Sequence, residues 1–293
     1  MISPVVFWPS ALGLTIAAAG ICTYRRDLVA GPSHSGRFVA LGPVFVAASL
    51  ATFAGEHFTA ARGLAQLVPE WMPARLFIAY FVGVALLAAA LSLVAKRCVR
   101  WSAICLAIMF ALFVLLLHLP NAVTHPRERI FWIIAVRESV FATGAWFLFA
   151  SQARGPTSRG AGKFALVGRV WIAIVIVFYG IEHLLHPECS PGVPSLKLTP
   201  SWVPLPLAAG YITGIVLVLL GMAMLLNKYA KLSTSMVGIV MTVLTVALYF
   251  PDFFVVSGVS QQVTAINYIA DTLLFAGTML LVARGRDRRE PNA

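Results

Sequence analysis

Apolar stretches of about 20 residues recur along this chain, and no water-soluble fold can bury so many of them. They fall at 3–22, 38–55, 76–95, 102–119, 130–150, 164–181, 205–226, 234–250 and 264–283. At about 1.5 Å per residue, a helix of roughly 20 residues crosses the hydrocarbon core of a bilayer. Inside lipid the backbone must satisfy its own hydrogen bonds, which a helix does within one segment. Composition agrees: 60% of the chain is hydrophobic and 11% charged, against about 45–50% and 25% in soluble domains. The expected class is an all-α polytopic membrane protein with nine spans, its first partner being the lipid bilayer. The first span carries Arg25 and Arg26 after its apolar stretch, which reads as a retained helix rather than a cleaved secretory signal.

The formal net charge of +11 could suggest nucleic acid, but the 22 basic residues lie in short segments between spans and form no single basic face. Alternate segments differ sharply. Sixteen of the bases (Arg25, Arg26, Arg37, Lys96, Arg97, Arg100, Arg154, Arg159, Lys163, Arg169, Lys228, Lys231, Arg284, Arg286, Arg288 and Arg289) share one side, and six (Arg62, Arg75, Arg127, Arg129, Arg137 and Lys197) lie on the other side or in the membrane half facing it. Cytoplasmic loops are enriched in Lys and Arg. The expectation is a multi-pass protein with its N-terminus outside and its C-terminus in the cytoplasm, with no nucleic-acid partner.

The chain contains a duplication. "GRFVALGPVFVAASLATFAGEHF" from Gly36 aligns without gaps on "GKFALVGRVWIAIVIVFYGIEHL" from Gly162. Further on, Tyr80 meets Tyr211, Gly83 meets Gly214, His118-Leu119-Pro120 meets Tyr249-Phe250-Pro251, Glu138 meets Asp271 and Gly144 meets Gly277. Four spans per half is an even number, so the repeats enter the membrane in the same direction, related by an axis along the membrane normal. The expected organisation is an extra N-terminal helix and loop (1–35), a first four-helix repeat (36–152), a cytoplasmic linker (153–163), a second four-helix repeat (164–284) and a basic cytoplasmic tail (285–293).

Polar residues concentrate toward the outer side. Glu138 and Asp271 are expected roughly 12 Å deep, about eight residues in from the outer ends of their helices, where a charge is costly and normally faces a partner or stays protonated. They could be hydrogen-bonding glue between helices or could handle protons and ligands. Arg137 and Glu138 are about 100° apart on the helix and are not expected to pair, which leaves Glu56 or a bound anion for Arg137. His57 is expected to face the bundle with His118 and Glu138, while Glu56 turns toward the loop or Arg137. In "EHLLH", Glu182 and His186 are four apart and His183 and His186 three apart, spacings that bring side chains to one helix face. Those three form a candidate metal set, but Pro187 ends the helix at once and the first half lacks the second histidine, so a metal is disfavoured. The Glu-x-x-His spacing of di-iron carboxylate bundles is absent. No haem, flavin or Fe–S motif is present, and the four cysteines form no C-x-x-C pair, which argues against dithiol redox chemistry.

The outer end "GEHF" of the first span, the proline-framed "PEWMP" start of the next, Gly83, His118-Leu119-Pro120 and the acid Glu138 together resemble the DoxX and DoxX-like family of bacterial membrane proteins. Glu182, His183, Pro204, Gly214, Pro251 and Asp271 are the matching second-half positions, which depart at Ile181 and Tyr249. The resemblance implies a membrane subunit linked to quinone redox, within a larger complex or beside a redox partner. On that reading Glu56, His57, His118, Arg137 and Glu138 form the reactive pocket, with Glu182, His183 and Asp271 as second-half ligand-binding equivalents and a quinone as cofactor. The residues alone leave two alternatives open: a proton-coupled transporter or binding protein, and a structural subunit without chemistry of its own.

Overall fold

The computed structural model describes residues 3–30, 34–152, 156–227 and 229–287. Positions 153–155 of the expected linker, Lys228 and the tail from 288 lie outside the described residues. The helices are α1 (Pro4–Ala30), α2 (His34–Val39), α3 (Gly42–Thr59), α4 (Ala61–Leu64), α5 (Arg75–Ala95), α6 (Val99–Phe113), α7 (Leu119–Thr124), α8 (Arg129–Gln152), α9 (Pro156–Leu185), α10 (Pro206–Leu225), α11 (Ala230–Leu244), α12 (Phe250–Val255) and α13 (Val259–Asp287). Nine helical segments among the described residues are long and apolar enough to cross a membrane, each overlapping one of the apolar runs. No strand is formed among those residues beyond an isolated bridge between Cys189 and Leu198. The chain is an all-α multi-pass membrane protein. The expected linker is shorter than 153–163, because α9 is already helical from Pro156, and proline suits the first turn of a helix.

The repeats do not fold as two separate bundles. Within each half the first helix packs on the second (α3 on α5, α9 on α10) and the third on the fourth (α6 on α8, α11 on α13). The fourth helix then crosses over: α13 lies along α3, α8 lies along α9, and α8 and α13 meet each other. Equivalent positions make the crossing. Gly42 of α3 abuts Leu280 of α13, and its counterpart Gly168 of α9 abuts Phe147 of α8, the residue matching Leu280. Gly144 lets α8 approach α13, where a methyl group on it would fall 2.2 Å from Thr278 Cγ2, and Gly277 lets α13 approach α3, where one would fall 2.8 Å from Val46. In lipid there is no hydrophobic drive between helices, so small residues that allow close backbone approach decide which faces meet.

The departure at Ile181 has a packing cause. Helix α1 has no equivalent in the second half and lies along α3, where a methyl on Gly55 would sit 2.6 Å from Pro9 Cα. The α9 residues matching this face, Val170, Ile174 and Ile181, are exposed on the bundle surface. The covered face carries Gly55 and Ala48 where the uncovered face carries Ile181 and Ile174, while Val44 and Val170 are alike.

Both third spans change pitch at the same place. Val114–His118 and Thr245–Tyr249 are π-helical turns, each followed by a proline one residue into the next helix. Pro120 and Pro251 have no N–H to give and would clash with the carbonyl four residues back. Widening the turn accommodates them, with Leu119 and Phe250 donating to Val114 and Thr245, five residues back. Such π-bulges are rare and cluster at functional sites.

Gly55→Ile, which copies the second half into the first, is expected to lower the unfolding midpoint in mild detergent by forcing α1 away, at about 1–3 kcal/mol for overpacking. Ile181→Ala is expected to change it far less, since Ile181 packs on no helix equivalent to α1.

Candidate functional site

The deepest charges of the two halves meet at the axis. Arg137 on α8 places Nη1 2.5 Å from Asp271 Oδ2 on α13 and Nη2 3.3 Å from Glu138 Oε1. The expected separation of Arg137 from Glu138 is therefore overturned. Neighbours do diverge on a helix, but α8 lies in the seam between α9 and α13, and a long guanidinium can curl along it to reach both acids. All three side chains are less than a fifth exposed. Asp271 and Glu138 are the matched acids of the repeat, so one arginine serves both copies; its own counterpart is Ala270.

Glu56 and His57 occupy the reverse of their expected places. Glu56 is 9% exposed, with Oε1 buried and without a hydrogen-bond partner among the described residues. It comes close enough to Asp271 for their charges to interact, because α3 lies along α13. His57 turns toward α5: Nδ1 bonds Phe53 O at 2.9 Å within its own helix, and its Cβ would lie 2.8 Å from a methyl on Gly83. His118 closes the first π turn, half-buried and within reach of the Arg137 charge. His57 and Glu138 are not brought together, since α3 packs on α13 and α8 on α9.

The second-half residues are held apart. Glu182 pairs with Arg129 at 2.6 Å. His183 is buried and its Nε2 engages the backbone of Gly192, 3.0 Å from O and 3.2 Å from N. His186 Nδ1 lies 3.5 Å from Glu188. The three metal candidates therefore point to three different partners, and among the described residues no group of His, Cys, Asp or Glu is arranged to hold a metal ion.

These contacts pull the segment after α9 back into the bundle end, where Cys189–Ser195 are buried. Arg129 also donates to Ser195 O at 2.8 Å and to Cys189 Sγ at 3.1 Å. Tyr249, the counterpart of His118, donates to Pro191 O at 2.9 Å, and Lys197 pairs with Asp252. Val193, Pro194 and Ser195 of this segment wall a pocket of about 260 Å³ between α8 and α13. Ile130, Ile133 and Ile134 line one side, Thr264, Asn267 and Tyr268 the other, with Arg137 and Asp271 also lining it. The pocket lies at the end carrying the long loops, its lining more apolar than polar, and neither His57 nor His118 lines it. Thr264, Asn267, Tyr268 and Asp271 follow i, i+3, i+4, i+7 spacing, which sets them on one face of α13. Of these only Asp271 stands out in the sequence; Arg129, Ser195 and Lys197 carry no comparable signal.

A family model described as a domain of unknown function, DUF8561, matches residues 46–144. The match takes in the first repeat from within α3 to within α8, including Glu56, His57, His118, Arg137 and Glu138. No curated protein and no solved structure matches the chain.

Removing one member of a buried ion pair strands the other, at about 3–5 kcal/mol. Arg137→Gln alone is expected to lower stability in detergent by that order. Adding Glu138→Gln and Asp271→Asn to it is expected to recover much of the loss, a cycle read from unfolding midpoints.

Proposed function

We propose that this protein is a carrier that binds a small molecule in the pocket above Arg137 and Asp271 and moves it with protons across the bacterial cytoplasmic membrane. The distribution of basic residues supports placing the pocket mouth and N-terminus outside and the C-terminus in the cytoplasm. The observation that carries the reading is that Arg137 of one half and Asp271 of the other form an ion pair lining a pocket between the halves. Parallel-repeat transporters place their substrate sites at the interface of their halves. The two terminal nitrogens of Arg137 serve Asp271 and Glu138, and a third acid, Glu56, lies near Asp271 with Oε1 buried and without a hydrogen-bond partner among the described residues. An unpaired carboxyl in the membrane interior takes up a proton rather than remain charged. Binding that draws Arg137 or Asp271 out of the network changes how many protons the acids hold, which is the coupling.

One observation favours a second reading, the quinone-linked subunit implied by the DoxX resemblance. The aliphatic wall of Ile130, Ile133 and Ile134 facing Tyr268 and Asn267 suits a quinone ring whose carbonyls accept hydrogen bonds. Electrons would then come from a partner in a larger complex.

Mass spectrometry of small molecules retained by the purified protein separates the readings. The carrier reading expects a retained polar compound, lost about tenfold in Asn267→Ala when one pocket hydrogen bond is removed, and proton movement on its addition to proteoliposomes. A retained quinone with no such proton movement supports the second reading. Retention of membrane lipids alone contradicts both.

A further inference from the structure

A second pocket, of about 320 Å³, lies at the opposite end of the bundle, lined by the terminal turns of α1, α3, α5, α6, α8 and α13. Lys96 immediately follows α5, Gln152 is the last residue of α8, and Asp27 and Arg284 fall in the final turns of α1 and α13. Because six membrane helices begin or end there, the pocket sits at the level of the lipid headgroups. Its charges are unbalanced. Among the described residues a single carboxylate, Asp27, serves two cations, Lys96 at 3.4 Å and Arg284 at 3.2 Å. Both contacts are long and partly exposed, the class of ion pair worth little in water. An ammonium has three donors and a guanidinium five, so among the described residues most of these N–H groups are left for a ligand. Lys96 is also held over the Tyr24 ring at 4.0 Å, and Tyr24 is fixed by donating to Leu93 O at 3.1 Å. The cations are therefore positioned rather than waving in solvent.

We propose that this pocket binds the phosphate of an anionic phospholipid headgroup, with Lys96 and Arg284 contacting the phosphate oxygens. Basic pockets between membrane helices on the cytoplasmic side select such lipids, and guanidinium and ammonium groups make charge-assisted bonds to phosphate. The volume exceeds what a bare phosphate fills and leaves room for the attached glycerol. Asp27 acts against the lipid: it competes with the phosphate for the two cations and repels it, while the Tyr24 ring, 4.0 Å from Lys96 and 5.8 Å from Arg284, keeps both cations at the pocket. The site is independent of the carrier reading, since it uses none of the residues lining the other pocket.

The test is lipid binding to the purified full chain by native mass spectrometry, with phosphatidylglycerol, phosphatidylcholine and inorganic phosphate as probes. Phosphatidylglycerol is expected to bind at least about tenfold more tightly than phosphatidylcholine, and Lys96→Gln with Arg284→Gln to erase that preference, each cation near the surface being worth about fivefold. Asp27→Asn is expected to tighten phosphatidylglycerol binding, again by about fivefold. A purely structural ion-pair triad predicts the opposite sign, because removing Asp27 would disperse the cations. Equal binding of the two lipids, weaker phosphatidylglycerol binding in Asp27→Asn, or full displacement by millimolar inorganic phosphate would each overturn the proposal.

Discussion

A guanidinium buried among helices cannot be left alone, and Arg137 meets that constraint by reaching across the axis to Asp271 while holding Glu138 beside it. The rest of the arrangement is consistent with this demand. For the fourth-span acids of both halves to share one arginine, α8 and α13 must lie side by side, which requires small residues where their backbones approach. Gly144 supplies one against Thr278 of α13, while Gly277 and Gly42 let α13 lie close along α3. Once the fourth helices occupy the axis, the first helices α3 and α9 are left to cover them from the opposite half. The duplicated sequence thus builds one interlocked bundle rather than two neighbouring ones.

Duplication followed by divergence explains the asymmetry of the site. Matched acids were kept at 138 and 271, but only one half carries an arginine, and Ala270 stands in its place in the other. Glu56 and Glu182 were both kept and put to different uses. Glu56 is drawn into the interior near Asp271, whereas Glu182 is held by Arg129 and helps tie down the segment that walls the pocket. His57 and His183 diverge in the same way, one bonded within its helix and the other bracing Gly192. The first half contributes charge to the centre and the second half contributes the pocket's wall.

The spans were legible in the sequence because bilayer thickness imposes their length, and the repeat was legible because a single comparison within the chain reveals it. Which faces meet was not, since lipid-facing and helix-facing apolar residues look alike in a membrane helix. That gap misplaced His57 beside Glu138, and it hid the partner of Arg137, which comes from 134 positions further along the chain. Angular reasoning about adjacent residues also failed for Arg137 and Glu138, because it follows Cβ directions and ignores a side chain long enough to fold back. Asp271 stands out in the sequence as a buried acid, whereas Thr264, Asn267 and Tyr268 share its helical stripe without forming a motif that singles them out. The buried segment 189–195 was not legible, because its order comes from Arg129, His183 and Tyr249, residues scattered over three helices.

The interlocking of the halves is the claim on which the axis ion pair and the pocket both rest, and cross-linking of introduced cysteines tests it directly. In a background lacking the four native cysteines, a pair introduced by Ser139→Cys on α8 and Trp171→Cys on α9, whose native side chains bond across the halves at 2.8 Å, is expected to be joined within one chain by a short bifunctional thiol reagent in the membrane. The pair Phe45→Cys with Ser139→Cys, within one half and with Phe45 as the counterpart of Trp171, is expected not to. Efficient cross-linking of the second pair and none of the first would show that each repeat folds as its own bundle and would contradict the account.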